Sequence, residues 1–205
     1  MLFVKKQWGF IIVIILSIFS ILPFFHAGFF PVHDDTQVTR IFEMGKSLGD
    51  GMFPVRWVSN LGYGYGYPIF NFYSPLPYYI GGFLSLIGFD SLLATKITFV
   101  LALLLSGIFM YYLSREFFGK FPAIVSSAVY LYFPYHAVNT YVRGDLDELY
   151  AYIFLPLVFL GLYKIFYIQE KKYFDRNFYW LILSGISVSL VVVSHNLSSF
   201  MLFLI

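Results

Sequence analysis

Gly9-Phe10-Ile11-Ile12-Val13-Ile14-Ile15-Leu16-Ser17-Ile18-Phe19-Ser20-Ile21-Leu22-Pro23-Phe24-Phe25 carries no ionisable side chain and directly follows a segment with Lys5 and Lys6. Crossing the roughly 30 Å of bilayer hydrocarbon takes about 20 mostly apolar residues as a helix. No small-x-small cleavage site closes this stretch and more apolar segments follow. It therefore reads as an uncleaved first helix with a cytoplasmic N-terminus rather than as a signal peptide. Working outward, ionisable-free stretches recur at 97–114, 121–135, 149–163 and 177–194, and a last one, 196–205, is too short to span.

The composition agrees. Of 205 residues 60% are apolar and 12% charged, against about 25% charged in a soluble domain. Such a chain cannot cover a globular surface with polar groups, so its solvent is largely lipid. A net charge of +2, with no run of more than two adjacent Lys/Arg, argues against nucleic acid as a partner. The absence of cysteine excludes disulfides, thiolate metal sites and Cys nucleophiles.

The expected architecture is all-α: a single polytopic transmembrane helix bundle over 1–205, with spans at about 8–25, 95–114, 121–140, 147–168 and 177–194 and a sixth cut short at 196–205. The chain then reads as the N-terminal piece of a longer protein, inactive alone. Segment 68–89 is uncharged but punctuated by Pro68, Pro75, Pro77, Gly81 and Gly82, and interior prolines break helices. The positive-inside rule gives a test. If 68–89 crosses, four of the 13 basic residues lie inside; if it does not, eight do: Lys5, Lys6, Arg115, Lys120, Lys164, Lys171, Lys172 and Arg176. The second count is preferred, which makes 68–89 a re-entrant or juxtamembrane helix within an external loop of 26–92. The polar stretches 33–66 and 139–148, and the turn at His195-Asn196, then share the external face of what reads as a prokaryotic cytoplasmic membrane.

The first loop opens with His33-Asp34-Asp35-Thr36. Behind it Val38, Ile41, Phe42, Gly45 and Leu48 recur at helical spacing, with Gln37, Arg40 and Ser47 opposite. That pattern predicts a short amphipathic helix at the interface, capped by Asp35 or Thr36 and stopped by Gly49. Capping uses one carboxylate, whereas this helix has two before it and a histidine beside them. The run Leu61-Gly62-Tyr63-Gly64-Tyr65-Gly66-Tyr67-Pro68 follows no strand and lacks a phosphate-loop Lys-Ser/Thr. It is either an aromatic interfacial belt or a wall whose Tyr65 and Tyr67 stack on a sugar or lipid carrier.

The second loop, Tyr141-Val142-Arg143-Gly144-Asp145-Leu146-Asp147-Glu148, packs four charges into six positions. Acids at a helix N-terminus suit the dipole, which explains one carboxylate better than three. Asp145 and Glu148 share a helical face and Asp147 does not. With Asp34 and Asp35 on the same side, the two clusters could hold a divalent cation or activate a hydroxyl as general base. The four histidines show no metal-ligand spacing. His195-Asn196 is either a satisfied helix-end pair or a phosphate or sugar contact.

In this order and spacing the motifs resemble the GT-C-type polytopic glycosyltransferases, the class of protein O-mannosyltransferases, oligosaccharyltransferases and lipid A aminoarabinose transferases. The shared layout is one helix, then a long external loop with an early acidic motif, here His33-Asp34-Asp35. A Pro/Tyr-rich juxtamembrane helix follows, here Ser74-Pro75-Leu76-Pro77-Tyr78-Tyr79-Ile80, then two crossings and a second acidic loop, Arg143-Gly144-Asp145. The chain is also similar to uncharacterised prokaryotic multi-span proteins, some labelled 6-pyruvoyl tetrahydropterin synthase-related, a label that brings no pterin chemistry with it. The Arg-Tyr that usually follows the first acidic pair is replaced by Thr36-Gln37-Val38.

The GT-C resemblance implies a membrane glycosyltransferase moving a sugar from a polyprenyl-(pyro)phosphate donor to an acceptor on the external face, with inversion. Asp34 would be the base, with Asp35 its neighbour or a metal ligand, and Asp145 or Glu148 the second-loop acid. His33, Arg56, Tyr65, Tyr67, Arg143 and His195 would bind substrate or phosphate. A divalent cation, Mg or Mn, would sit on Asp34, Asp145 and Glu148. The alternatives are a transporter or flippase, which would carry its polar groups near the midplane, and a non-catalytic scaffold of the same architecture.

Overall fold

The computed structural model describes residues 2–167 and 174–204. Lys171 and Lys172, and the side chains of Lys5, Lys6 and Arg176, lie outside what is described. Among the described residues the regular secondary structure is helical apart from one isolated antiparallel bridge, Val58 to Tyr67. In order the helices are α1 (Leu2–Ile21), α2 (Gln37–Gly49), α3 (Leu76–Leu86), α4 (Ser91–Phe118), α5 (Lys120–Tyr132), α6 (Pro134–Val138), α7 (Leu146–Tyr167), α8 (Phe174–Ser194) and α9 (Asn196–Phe203). Three stretches, Trp8–Phe25, Ser91–Phe118 and Leu146–Tyr167, are helical, long and apolar enough to cross a bilayer. Helix α8 adds a shorter apolar stretch, Phe178–Ser194.

In lipid, helices associate through close packing of small residues rather than through hydrophobic burial. Gly107 of α4 illustrates this, since a Cβ there would stand 2.8 Å from Leu131 of α5 and 3.1 Å from Ser17 of α1. Helix α4 begins four residues before the hydropathy boundary because the Asp90 carboxylate caps it, accepting from the amides of Leu92 and Leu93 at 3.0 and 3.1 Å.

The span expected over 121–140 is not one helix. It ends at Tyr132; Phe133 is extended (φ −58°, ψ 134°) and Pro134 starts α6. A residue before proline is driven out of the α region, so the break is local chemistry. A π-helical turn, Asn139–Arg143, then leads into the second polar loop. Tyr141 of that turn donates to the Ser20 carbonyl at the end of α1, and its ring packs on Phe24 and Phe30. The loop is thereby anchored to the first helix.

Helix α3 has 11 residues, a length of about 16 Å against the roughly 30 Å of hydrocarbon. It packs against α2 as well as against the long helices, and glycines allow the close approach. A Cβ on Gly81 would lie 2.5 Å from Ile41, and one on Gly82 would lie 2.6 Å from Met44.

This packing corrects the amphipathic reading of α2. Gln37, Arg40, Glu43 and Ser47 are buried with Ile41 and Met44, while Phe42 is half exposed. Gln37, Arg40, Ile41, Met44 and Ser47 form one stripe at 3.6-residue spacing, and α2 turns that mixed stripe inward. Thr36 occupies the N-cap position but makes no side-chain capping bond. Capping therefore does not account for the first acidic pair.

Candidate functional site

The two polar loops meet through their backbones. The His33 amide donates to the Val142 carbonyl at 2.9 Å and the Asp34 amide to the Arg143 carbonyl at 2.8 Å. Gln37, at the start of α2, donates from Nε2 to the Gly144 carbonyl at 2.8 Å. Gly144 makes the approach feasible: its φ is +69°, and a Cβ there would stand 2.6 Å from Val32. Only glycine adopts that backbone without penalty and leaves room for the incoming strand.

With the backbones joined, His33, Asp34, Tyr73, Arg143 and Asp145 line one cavity of about 320 Å³. Beside it a cavity of about 240 Å³ is lined by Phe72, Tyr73, Ser74, Asp145, Asp147, His195, Asn196 and Leu197. Tyr73 and Asp145 belong to both. The two form one cleft between the loops, reaching to the start of α9.

Asp34 is held from the buried side of α2. Arg40 approaches it at 3.3 Å, Gln37 Nε2 donates at 3.1 Å and the Tyr73 hydroxyl at 3.3 Å. Arg40 also donates to the Tyr78 hydroxyl at 3.0 Å, which in turn donates to Gln37 Oε1 at 2.8 Å. Burial opposes the charge on Arg40, but Tyr78, Asp34 and Tyr73 more than offset it and hold its pKa above the ordinary arginine value. Burial pushes the Tyr78 phenol well up, with Asp147 adding to the effect against Arg40. It pushes Tyr73 up too, there assisted by Asp34 and Asp147. Both phenols are thus neutral donors, Tyr73 to the Asp34 carboxylate and Tyr78 to the Gln37 amide oxygen.

The second-loop acids divide their tasks. Asp145 caps α7, Oδ1 accepting from the Glu148 amide at 3.0 Å, and pairs with Arg143 at 2.9 Å. Glu148 pairs with Arg143 at 2.7 Å and accepts from Tyr135 at 3.0 Å and Tyr152 at 2.7 Å. Asp147 is 2% exposed, and its Oδ1 has no hydrogen-bond partner among the described residues. An unmet buried carboxyl oxygen in a cleft wall is costly.

His195 caps α9, Nδ1 accepting from the Ser198 amide at 3.2 Å. Nδ1 also lies 2.7 Å from the Ser198 hydroxyl, and with Nδ1 accepting, the neutral ring carries its proton on Nε2. Asn196 accepts from Ser74 at 3.1 Å and donates to the Phe72 carbonyl at 3.2 Å. The helix-end pair is both satisfied and cleft-lining.

The remaining expected residues stand apart. Asp35 and Arg56 are exposed and line neither cavity. Tyr65 and Tyr67 are exposed on a hairpin closed by the Val58–Tyr67 bridge. A Cβ on Gly66 would lie 2.2 Å from the Trp57 indole, which fixes that turn. Asp34 is not in the group of side chains near enough to share an ion: Asp145, Glu148 and His195 offer atoms within 4.8 Å of one another. That set does not suit a dication. Arg143 already neutralises both carboxylates, and the His195 Nδ1 lone pair is taken by the Ser198 amide.

Gln37, Arg40, Tyr73, Tyr78 and Asp147 were not among the candidates read from sequence. Polar positions on an amphipathic helix default to water in such a reading. The Gly81-Gly82 pair was the available sign that α2 packs on something.

Residues 70–205 match the family described as 6-pyruvoyl-tetrahydropterin synthase related domain, membrane protein. The chain is 25% identical over 170 residues to an uncharacterized protein of Lactococcus lactis subsp. cremoris, a match covering 78% of this chain and 28% of that relative. The chain thus spans well under half of the relative's length. No solved structure matches.

Proposed function

We propose, from the premise that the chain belongs to the 6-pyruvoyl-tetrahydropterin synthase related family of membrane proteins, that it contributes the acidic cleft of a glycosyltransferase acting at the external face of the bilayer. The observation that carries this reading is the joining of His33-Asp34 to Val142-Arg143, because it brings an acid and an arginine from separate loops to one cavity. No pterin chemistry is carried over. Among the described residues the one close group of ion-ligating side chains contains a single histidine.

In the proposed reaction the donor is a sugar on a polyprenyl phosphate. The Asp34 carboxylate takes the proton of an acceptor hydroxyl as that oxygen bonds to the anomeric carbon. The bond from the anomeric carbon to the phosphate oxygen breaks on the opposite face, which inverts the configuration and releases polyprenyl phosphate. Arg40 and Tyr73 orient Asp34 from behind. Arg143 and the His195 Nε2–H face the leaving phosphate, where fixed donors are most effective at developing charge. For Arg143 this requires releasing part of its pairing with Asp145 and Glu148. Aligning the acceptor against the donor is the larger share of the work.

The position of the acids supports transfer rather than transport. A transporter binds near the bilayer midplane, often at broken helices, whereas Asp34, Asp145 and Asp147 sit in loops or within two residues of a helix start. The test is turnover of radiolabelled polyprenyl-phosphate sugars by membranes containing the entire protein. Asp34→Asn is expected to lose about 10²-fold or more, with the fold retained. Unchanged turnover in both Asp34→Asn and Asp35→Asn variants would sink the base assignment.

A further inference from the structure

A different kind of cavity is lined by Tyr135 and Tyr152, the two phenols that donate to Glu148. It measures about 460 Å³ and is walled chiefly by Val125, Val129, Phe133, Tyr135, His136 and Tyr152. Val125, Val129 and Phe133 are four residues apart, so they form one stripe along α5 and its end. The groove follows that stripe for about 12 Å. All three are about half exposed, at 49%, 58% and 57%, and the groove opens along the side of the bundle.

One polar atom in this groove is unmet. His136 is 4% exposed, and its Nδ1 lies 2.8 Å from the Tyr130 carbonyl oxygen. A carbonyl only accepts, so Nδ1 carries the proton and Nε2 holds a lone pair. That Nε2 is buried and has no hydrogen-bond partner among the described residues. The neighbouring phenols cannot serve it. Tyr130 donates to the Tyr152 carbonyl at 3.0 Å, and Tyr135 and Tyr152 donate to Glu148 at 3.0 and 2.7 Å. A water there would find one partner where a buried water usually has about three.

We propose that this groove binds a long-chain lipid alcohol. The hydrocarbon chain lies along the Val125–Val129–Phe133 stripe and the hydroxyl donates to His136 Nε2. A phosphate or carboxylate would bury charged oxygens that need further donors, and the phenols that could supply them are engaged by Glu148 and the Tyr152 backbone. An alkane would leave Nε2 unmet. The inference rests on His136 and the groove, not on the glycosyl-transfer reading, and its test involves no turnover.

The probe is hexadecanol carrying a photoreactive diazirine in its chain, added to the protein in nanodiscs, with labelled peptides mapped by mass spectrometry. Label is expected on 125–136 and is expected to be displaced by unlabelled hexadecanol. The methyl ether of the same alcohol has the same chain but no O–H donor, and it should compete about ten-fold less well, the factor for one ordinary hydrogen bond. Hexadecyl phosphate should compete no better than the ether. In His136→Phe the alcohol and the ether should become equivalent, and Val129→Trp, an exposed position, should abolish labelling. Label on other segments, equal competition by alcohol and ether in the native chain, or better competition by the phosphate would each overturn the proposal. The alcohol–ether comparison needs no variant, so a His136→Phe chain that fails to fold leaves the test intact.

Discussion

Replacing Gly144 by alanine should unfasten the two loops from each other. At φ +69° an alanine incurs about 1–2 kcal/mol for the left-handed conformation alone. Its Cβ would also stand 2.6 Å from Val32 Cγ2 and 2.8 Å from Val32 Cβ, and relieving such overpacking costs about 1–3 kcal/mol. Against a total of about 2–5 kcal/mol stand two backbone hydrogen bonds, from His33 and Asp34, each worth about 0.5–1.5 kcal/mol net. The loop carrying Val32 is expected to lift away rather than the second loop to refold, because Tyr141 ties the latter to α1. The assay is amide hydrogen exchange at His33 and Asp34 in nanodiscs. A loss of about 2 kcal/mol corresponds to exchange roughly 30-fold faster. Val32→Gly in the same chain removes the contacted side chain and should recover the steric part but not the conformational part. Native exchange at both amides in Gly144→Ala would refute the reasoning. So would strict additivity of the two substitutions, since contacting residues should couple by about 0.5 kcal/mol or more.

Asp145→Asn keeps a good helix cap and gives up only a partly exposed ion pair. Thermal unfolding in detergent should shift by less than about 0.5 kcal/mol, whereas Asp145→Ala should cost about 0.5–2 kcal/mol. Arg40→Met takes the ion-pair partner from Asp34, which keeps only Gln37 and Tyr73, and takes the donor from the buried Tyr78 hydroxyl. A loss of about 2–3 kcal/mol is expected in the same measurement, below the full value for a buried pair because Asp34 is 26% exposed. Arg40→Lys should recover only part of it, having no planar fork to reach both partners. Tyr78 carries a pKa raised well above the ordinary phenol by burial. Its contribution is therefore fully present below about pH 10, the unfolded value, and is lost as pH rises toward the folded one. Unfolding curves for Tyr78→Phe should lose less stability than the native chain above about pH 10, and an equal or steeper alkaline decline would contradict the assignment.

Hydropathy alone carried the bundle a long way, because in lipid the length of an apolar run nearly determines a crossing helix. The same reasoning smoothed over 121–140, where Pro134 breaks the run at Phe133. A proline at that position was legible and carries more local information than the mean hydropathy around it. The two acidic loops were also legible, as charge concentrated where little was expected. Their joining was not, since it depends on backbone amides and on one left-handed glycine. Nor was the support behind Asp34. Gln37 and Arg40 lie on the polar side of a helix whose partner helix supplies Tyr78 from within a proline-rich, apolar segment. A pattern of polarity specifies an outward face only where the surrounding medium is water.

That inversion of α2 has a consequence for how the protein tolerates change. On an ordinary surface helix, substitutions at glutamine, arginine, glutamate and serine are nearly free, while the large apolar positions are restrictive. Here Gln37, Arg40, Glu43 and Ser47 are enclosed, whereas Thr39 is open and Phe42 half open. A saturation library across α2 should show the permissive positions exchanged relative to what hydropathy would assign. Conservative polar swaps at 37, 40 and 43 would be depleted, and polar replacements at 39 and 42 would persist. The helix should behave under mutation as a piece of the cleft wall.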